Sequence, residues 1–263
     1  MSLRVNTNVE AFNAHRNLEG TQMQLSKSMQ KLSSGLRINS AADDAAGLAI
    51  SEKMRSQING TAQAQRNAMD GISLVQTAEG AYNEMHSILQ RVRELAVQAQ
   101  NGTLSTADQG AIDQEVGQLT AELTRIAGNT QFNSLQVLSG SFTLQVGADS
   151  GSGNQISFSL SSISFTSITS AAASGSISAI DQAITSVSSA RSTLGAIQNR
   201  LEHAVSNLGV YQENITAAES RIRDVDIAAE TVNFTKLQIL SQSGTAMLAQ
   251  ANQAPQSVLS LLR

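Results

Sequence analysis

Leucines recur every seven residues near the start of the chain, at Leu18, Leu25 and Leu32, with Met29 and Leu36 on the offset step. Near the end, Leu237, Leu240, Met247, Ala251, Ala254, Val258 and Leu261 alternate in steps of three, four and seven. Stripes of this kind describe helices whose apolar seam needs a partner helix. Chain ends are usually polar and frayed. Two apolar ends therefore point to arms that pair with each other or with another copy of the protein, and so to assembly rather than chemistry.

The intervening pattern predicts a helical rod. A first helix spans about residues 3–34 and stops at Ser33-Ser34-Gly35, a C-cap sequence. After a short polar connector, Asp43 or Asp44 caps a second helix that runs to about Gln100, with Ile72, Val75, Tyr82, Met85, Leu89, Val92, Ala96 and Ala99 on its seam. Asn101-Gly102-Thr103 makes a turn. Ser105 or Thr106 then caps a third helix with Ile112, Val116, Leu119, Leu123 and Ile126 inward.

Near residue 139 the period changes. Apolar and polar residues alternate through 142–146 and again through 156–160, separated by a Gly-rich stretch, which predicts a β-hairpin at about 141–161. The Ser/Thr/Ala tract of residues 161–178 reads as a solvated linker. A fourth helix follows, with Ile177, Ile180, Ile184, Val187, Leu194, Leu201, Val205, Leu208, Ile215 and Ile222 in one register, broken by Arg191, Gln198, Gln212 and Glu219. The register ends around Asp224 and Asp226, where the terminal arm begins. The expected fold is mainly α: a long antiparallel, coiled-coil-like rod with a small hairpin and paired terminal helices.

Composition narrows the function. Hydrophobic residues make up 41% of the 263, yet aromatics only 3%, and Pro255 is the one proline; closely packed long helices suit both facts. A net charge of −4 supplies no basic patch for nucleic acid or a membrane surface. Without cysteine there are no disulfides and no thiolate chemistry. No apolar run is long enough to span a bilayer. The opening MSLRVNTNVEAFNAHRN has no apolar core of a signal peptide, which taken alone suggests a cytoplasmic protein.

Catalytic constellations are not supported. His15, His86 and His203 fall on separate helices in no metal-binding spacing. Asp43 and Asp44 are adjacent, so on a helix they point about 100° apart, and capping is the better reading. Gly151-Ser152-Gly153 lies in a hairpin loop, not at a strand-to-helix elbow. No cofactor is expected.

At this point the residues carry a resemblance. KLSSGLRINSAADDAAGLAISEKM (31–54), DGISLVQTAEGA (70–81), QRVRELAVQAQNGT (90–103) and TQFNSLQVLSG (130–140) resemble the amino-terminal half of bacterial flagellins. SRIRDVDIAAET (220–231) and LAQANQAPQSVLSLLR (248–263) resemble their carboxyl-terminal end. Many flagellins insert variable outer domains between the hairpin and the returning helix; this protein has only the Ser/Thr tract, a minimal form.

The resemblance implies a filament subunit for motility, exported through the flagellar type III channel without a cleaved signal peptide and located in the extracellular flagellum, which overrides the cytoplasmic reading. It implies an inner terminal-arm domain of residues 1–44 plus 224–263 and a rod domain of 45–223. Leu18, Leu25, Leu32, Leu237, Leu240, Met247, Val258 and Leu261 are the expected assembly residues. Expected partners are other copies of the protein, hook-associated and cap proteins, and an export chaperone on the carboxyl-terminal arm. Arg91, Leu95 and Glu115 match the positions gripped by the vertebrate flagellin-sensing Toll-like receptor. A hook–filament junction protein is the alternative within the flagellum; a receptor-like signalling coiled coil, which forms dimers and no polymer, is a third reading.

Overall fold

Capping residues mark where each long helix begins. The computed structural model describes residues 7–165, 168 and 176–261, with the backbone alone from residue 254 on. Asn8 accepts from the Ala11 amide and opens α1 (Val9–Ser34), which Gly35 closes in the left-handed conformation, its N–H donating to Lys31. The first residues of the expected first helix lie outside the described residues. Asp44 caps α2 (Ala45–Ala99) by accepting from the Gly47 amide at 2.8 Å. Ser105 and Asp108 form a reciprocal capping box at the start of α3 (Thr106–Asn129).

Two short antiparallel pairs follow: β1 (Gln131–Phe132) with β2 (Leu135–Gln136), then β3 (Gly140–Gln145) with β4 (Gln155–Leu160). The second pair is the expected hairpin, with Phe142 opposite Phe158 and their ring centroids 5.4 Å apart. The sequence pattern does not predict the first pair. Its turn places Asn133 and Ser134 at positive φ, and strands of two residues are too short for a period to register. Helix α4 (Ser176–Arg223) returns, and α5 (Ile227–Leu261) begins where Asp226 accepts from the Ala229 amide.

The protein forms two compact units, Gln57–Glu213 and Met1–Ser56 with Asn214–Arg263. In the first, α2, α3, α4 and both strand pairs supply one core that includes Tyr82, Leu89, Leu123, Leu194 and Leu201, all essentially inaccessible. The core face of α4 also takes in Ala183 and Ile197 beside the expected seam. Arg93 meets Asp181 at 2.8 Å and Arg191 meets Glu79 at 3.9 Å, so α2 and α4 run antiparallel here. The hairpin lies close on α2: a side chain at Gly71 would overlap Leu144.

The tract after β4 is not a bare linker. Phe165 and Ile168 are buried in the same core, with Ile163 partly so, and the Ile168 amide donates to Phe165 at 3.0 Å. Widely spaced apolar residues among many serines carried this signal, and the abundance of hydroxyls masked it. Its last residues, 176–178, already belong to α4.

In the second unit α1 and α5 pair. Beside them the connectors form a strap: Val225 N–H donates to Gly35 and Arg37 N–H to Arg223, closing a bridge between Leu36 and Asp224. The Arg37 guanidinium donates twice to the Ile222 carbonyl, at 2.6 and 3.2 Å, and so satisfies a carbonyl at the end of α4. Arg223, nearly buried, reaches Glu52 at 2.6 Å, and Arg55 reaches Glu219 at 3.4 Å. These ties attach the first turns of α2 to this unit, so its edge lies beyond residue 44 and inside the helix.

Candidate assembly interface

The α1–α5 pair is a two-helix layer, and a helix pair cannot cover both of its partners all round. Asn8 Nδ2 donates to Ala251 at 2.7 Å, Gly244 lies against Leu18, and Ser28 Oγ bonds Glu230. These contacts make the pair antiparallel. On α1 the half-covered or buried positions include Ala11, Ala14, Leu18, Thr21, Leu25, Ser28 and Leu32. On α5 they include Glu230, Phe234, Leu237, Ser241, Gly244, Leu248 and Ala251. Both sets follow alternating steps of three and four, the knobs-into-holes spacing.

Leu18, Leu25, Leu32 and Leu237 therefore stand on the seam inside the pair. Leu240 and Met247 do not: they are 46% and 65% exposed. The carboxyl-terminal stripe divides into two faces, because the seam toward α1 uses Leu248 together with Ser241 and Gly244, and an apolar reading of the sequence passes over the last two. The side chains of Val258 and Leu261 lie outside the described residues.

What remains outside is large and apolar. On α5, Val232, Ile239, Leu240 and Met247 are exposed, and Val232, Ile239 and Leu240 edge a shallow groove of about 480 Å³ with Thr231, Thr235 and Lys236. On α1, Phe12 is 72% and Met23 65% exposed; eleven residues apart, they share a face three turns from each other. Single exposed apolar residues are ordinary, but a band of them along paired helices marks an interaction surface. Each Leu or Phe covered there contributes roughly 1.5–3 kcal/mol.

A separate polar feature lies on the other unit. Arg91 on α2 donates through Nε and Nη2 to Glu115 Oε1 on α3, at 3.1 and 3.0 Å, and through Nη1 to Glu94 at 3.4 Å. Glu115, and then Glu94, hold the guanidinium above its ordinary pKa. Both partners of the main pair are about half exposed, so solvent screening leaves the pair little weight in folding. Leu95 does not share this face. It is 2% exposed and belongs to the core with Val92, Ala96 and Ala99. A four-residue step rotates a helix position by about 40°, and here that rotation crosses from surface to core.

Among the described residues no group of three His, Asp or Glu side chains is placed to hold a metal, and no helix is long and apolar enough to cross a membrane.

Comparison with known proteins gives these faces a context. Residues 5–143 match the bacterial flagellin N-terminal helical region, and residues 177–262 match the bacterial flagellin C-terminal helical region. A flagellin of Halalkalibacterium halodurans is 54% identical over 98% of this chain and 99% of its own length. A flagellar filament 33 kDa core protein of Treponema phagedenis is 47% identical over 98% and 99%. Among solved structures, the crystal structure of Bacillus cereus flagellin matches with a TM-score of 0.50 at 31% identity, covering 54% of this chain and 88% of that one. Both relatives align with this chain over nearly the whole of each sequence. The chain belongs to the bacterial flagellin family.

Proposed function

We propose that the protein is a structural subunit that polymerises into the extracellular bacterial flagellar filament for motility. The observation that carries this reading is the band of exposed apolar residues on α1 and α5, above all Phe12, Val232, Ile239, Leu240 and Met247. Contacts between such a face and a different face of the next copy are heterologous, and where the rotation between copies does not close they build a filament rather than a ring. The full-length similarity to a filament core protein supports the same reading and gives none to a hook–filament junction protein.

The test separates assembly from folding. Lysines at Leu240 and Met247, both exposed, leave the monomer's helicity and melting unchanged but abolish filaments seen by electron microscopy of concentrated, seeded protein. Filaments at the wild-type yield would refute the role of this face. Removing residues 224–263 leaves a soluble helical monomer that does not polymerise, and polymerisation of that truncation would refute the need for the arm.

The finer parts of the proposal rest on family resemblance. Export proceeds through the type III channel without a cleaved leader, an export chaperone covers the carboxyl-terminal arm, and hook-associated and cap proteins bound the filament. The exposed Arg91–Glu115 pair supports recognition of free monomer by the flagellin-sensing Toll-like receptor, with Leu95 acting beneath that surface as a packing residue. In a receptor-reporter assay Arg91→Ala and Glu115→Ala lower the signal of monomer with helicity and assembly intact. Signals equal to wild type for both variants would remove this assignment.

A further inference from the structure

The sequence holds two Asn-Gly pairs, Asn59-Gly60 and Asn101-Gly102, and the fold treats them in opposite ways. Gly60 lies inside α2, so its N–H belongs to the helical hydrogen-bond ladder. It is also covered: a side chain at Gly60 would come within 2.9 Å of Ala148. Asn101 and Gly102 lie in the turn between α2 and α3, both exposed. The turn is held by Asn101 N–H donating to Gln98 at 3.0 Å and by Leu104 N–H donating to Asn101 at 3.2 Å. Neither the Asn101 carboxamide nor the Gly102 N–H has a hydrogen-bond partner among the described residues. The space around Gly102 is open, with nothing within 4 Å of where a side chain would start.

We propose that Asn101 is a site of spontaneous, structure-selected deamidation. The Gly102 backbone nitrogen attacks Asn101 Cγ. A bond forms between that nitrogen and Cγ, the bond from Cγ to Nδ2 breaks, and ammonia leaves with the proton released by the Gly102 nitrogen. The five-membered succinimide that results is opened by water at one of its two carbonyls, giving aspartate or isoaspartate at position 101. No oxidant or reductant enters; water is consumed and ammonia released. The open Gly102 nitrogen, outside any hydrogen-bond ladder, is the nucleophile that α2 withholds at Gly60. Either product places a new negative charge just beyond the carboxyl end of α2, the end that disfavours anions. Isoaspartate also routes the backbone through the side-chain methylene and so lengthens the turn. The Gln109 side chain, which caps Ala99 from α3 at 3.3 Å, spans this same turn and reports the change.

The full-length protein provides its own control. After timed incubation in warm, mildly alkaline buffer, cleavage at arginine puts Asn59 in the fragment 56–66 and Asn101 in the fragment 94–125. Mass mapping and labelling with an isoaspartyl methyltransferase then read each site. Local opening in mid-helix is costlier than in an exposed turn, and every 1.4 kcal/mol of opening slows a reaction about ten-fold, so conversion at Asn101 exceeds that at Asn59 by about ten-fold or more. In denaturant the two sites convert alike. Gly102→Ala, which the open space accommodates, keeps the helicity and removes the label from position 101. Conversion no greater at Asn101 than at Asn59 in the folded protein overturns the proposal, as does a label in Gly102→Ala equal to wild type.

Discussion

Leu201→Ala and Leu208→Ala distinguish the observed register of α4 from the simple heptad. Both leucines belong to one sequence register, but Leu201 is fully buried while Leu208 is only half-covered. At Leu201 the substitution removes three carbons from a dry site. At about 0.8 kcal/mol per buried CH₂ the transfer loss alone is roughly 2.4 kcal/mol. The cavity left behind adds to it, and buried Leu→Ala changes span about 2–5 kcal/mol. For a unit of this size each kcal/mol moves the melting temperature by about 2–4 °C, so a drop of roughly 5–20 °C is expected. Leu208→Ala forfeits only part of the transfer term and opens no sealed cavity, so its drop is less than half as large. Thermal denaturation followed by circular dichroism reads both. Equal shifts, or no shift at Leu201, would refute the register and with it the assignment of the α4 core face.

Two further outcomes concern the polar ends of helices. Ser105→Ala removes the acceptor for the Asp108 amide and breaks the α3 capping box, at a cost of about 0.5–2 kcal/mol measured by chemical denaturation. Hydrogen bonds from the Ser105 hydroxyl and amide hold Asp108 below its ordinary pKa, those from Ser40 do the same for Asp43, and Arg125 lowers Glu122. Because these folded-state values are depressed, the stability they contribute is complete above the ordinary carboxylate range near about 4 and is lost as pH falls through the lowered values. A melting temperature that stays level across that acid range in wild type, or falls as steeply in Asp108→Asn as in wild type, would contradict this.

Much of the rod was legible because its signal is redundant. About two dozen residues on α2, α3 and α4 repeat one period, and Asp44 and Ser105 announce two of the helix starts as capping side chains. The hairpin showed in a clean alternation. The arms were legible as helices but not as surfaces. Leu237 and Leu240 are the same residue type three apart, yet one is buried and the other exposed, since periodicity reports that a face is apolar and not what covers it. The seam toward α1 hid behind Ser241, Gly244 and Glu230, residues that pack by smallness or by a hydrogen bond across the pair. Arg91 and Leu95 show the same limit: a spacing of four sets two residues side by side, yet the edge of the core passes between them.

Gly244 is where that hidden seam can be tested. It stands in the middle of α5, where glycine costs about 1 kcal/mol relative to alanine, so some tertiary gain must offset it. A side chain there would begin 3.1 Å from Leu18 Cδ1, tighter than ordinary contact but against the tip of a leucine that can turn. For Gly244→Ala the helix gain and the repacking of Leu18 oppose each other, and the variant assembles with stability close to wild type. Gly244→Leu cannot be absorbed by one rotamer. It drives α1 off α5 and opens gaps at the small seam positions Ala14, Thr21 and Ser241, which cannot fill a greater distance between the helices. Hydrogen exchange then speeds up at the amides of residues 11–32 and 230–251, while the core amides around Leu89 and Leu194 keep their protection. Filaments fail to form because the exposed residues Phe12 and Leu240 no longer sit on one rigid pair. Normal filaments from Gly244→Leu, with α1 as well protected as in wild type, would show that the close approach of Leu18 to Gly244 is not what holds the arms together.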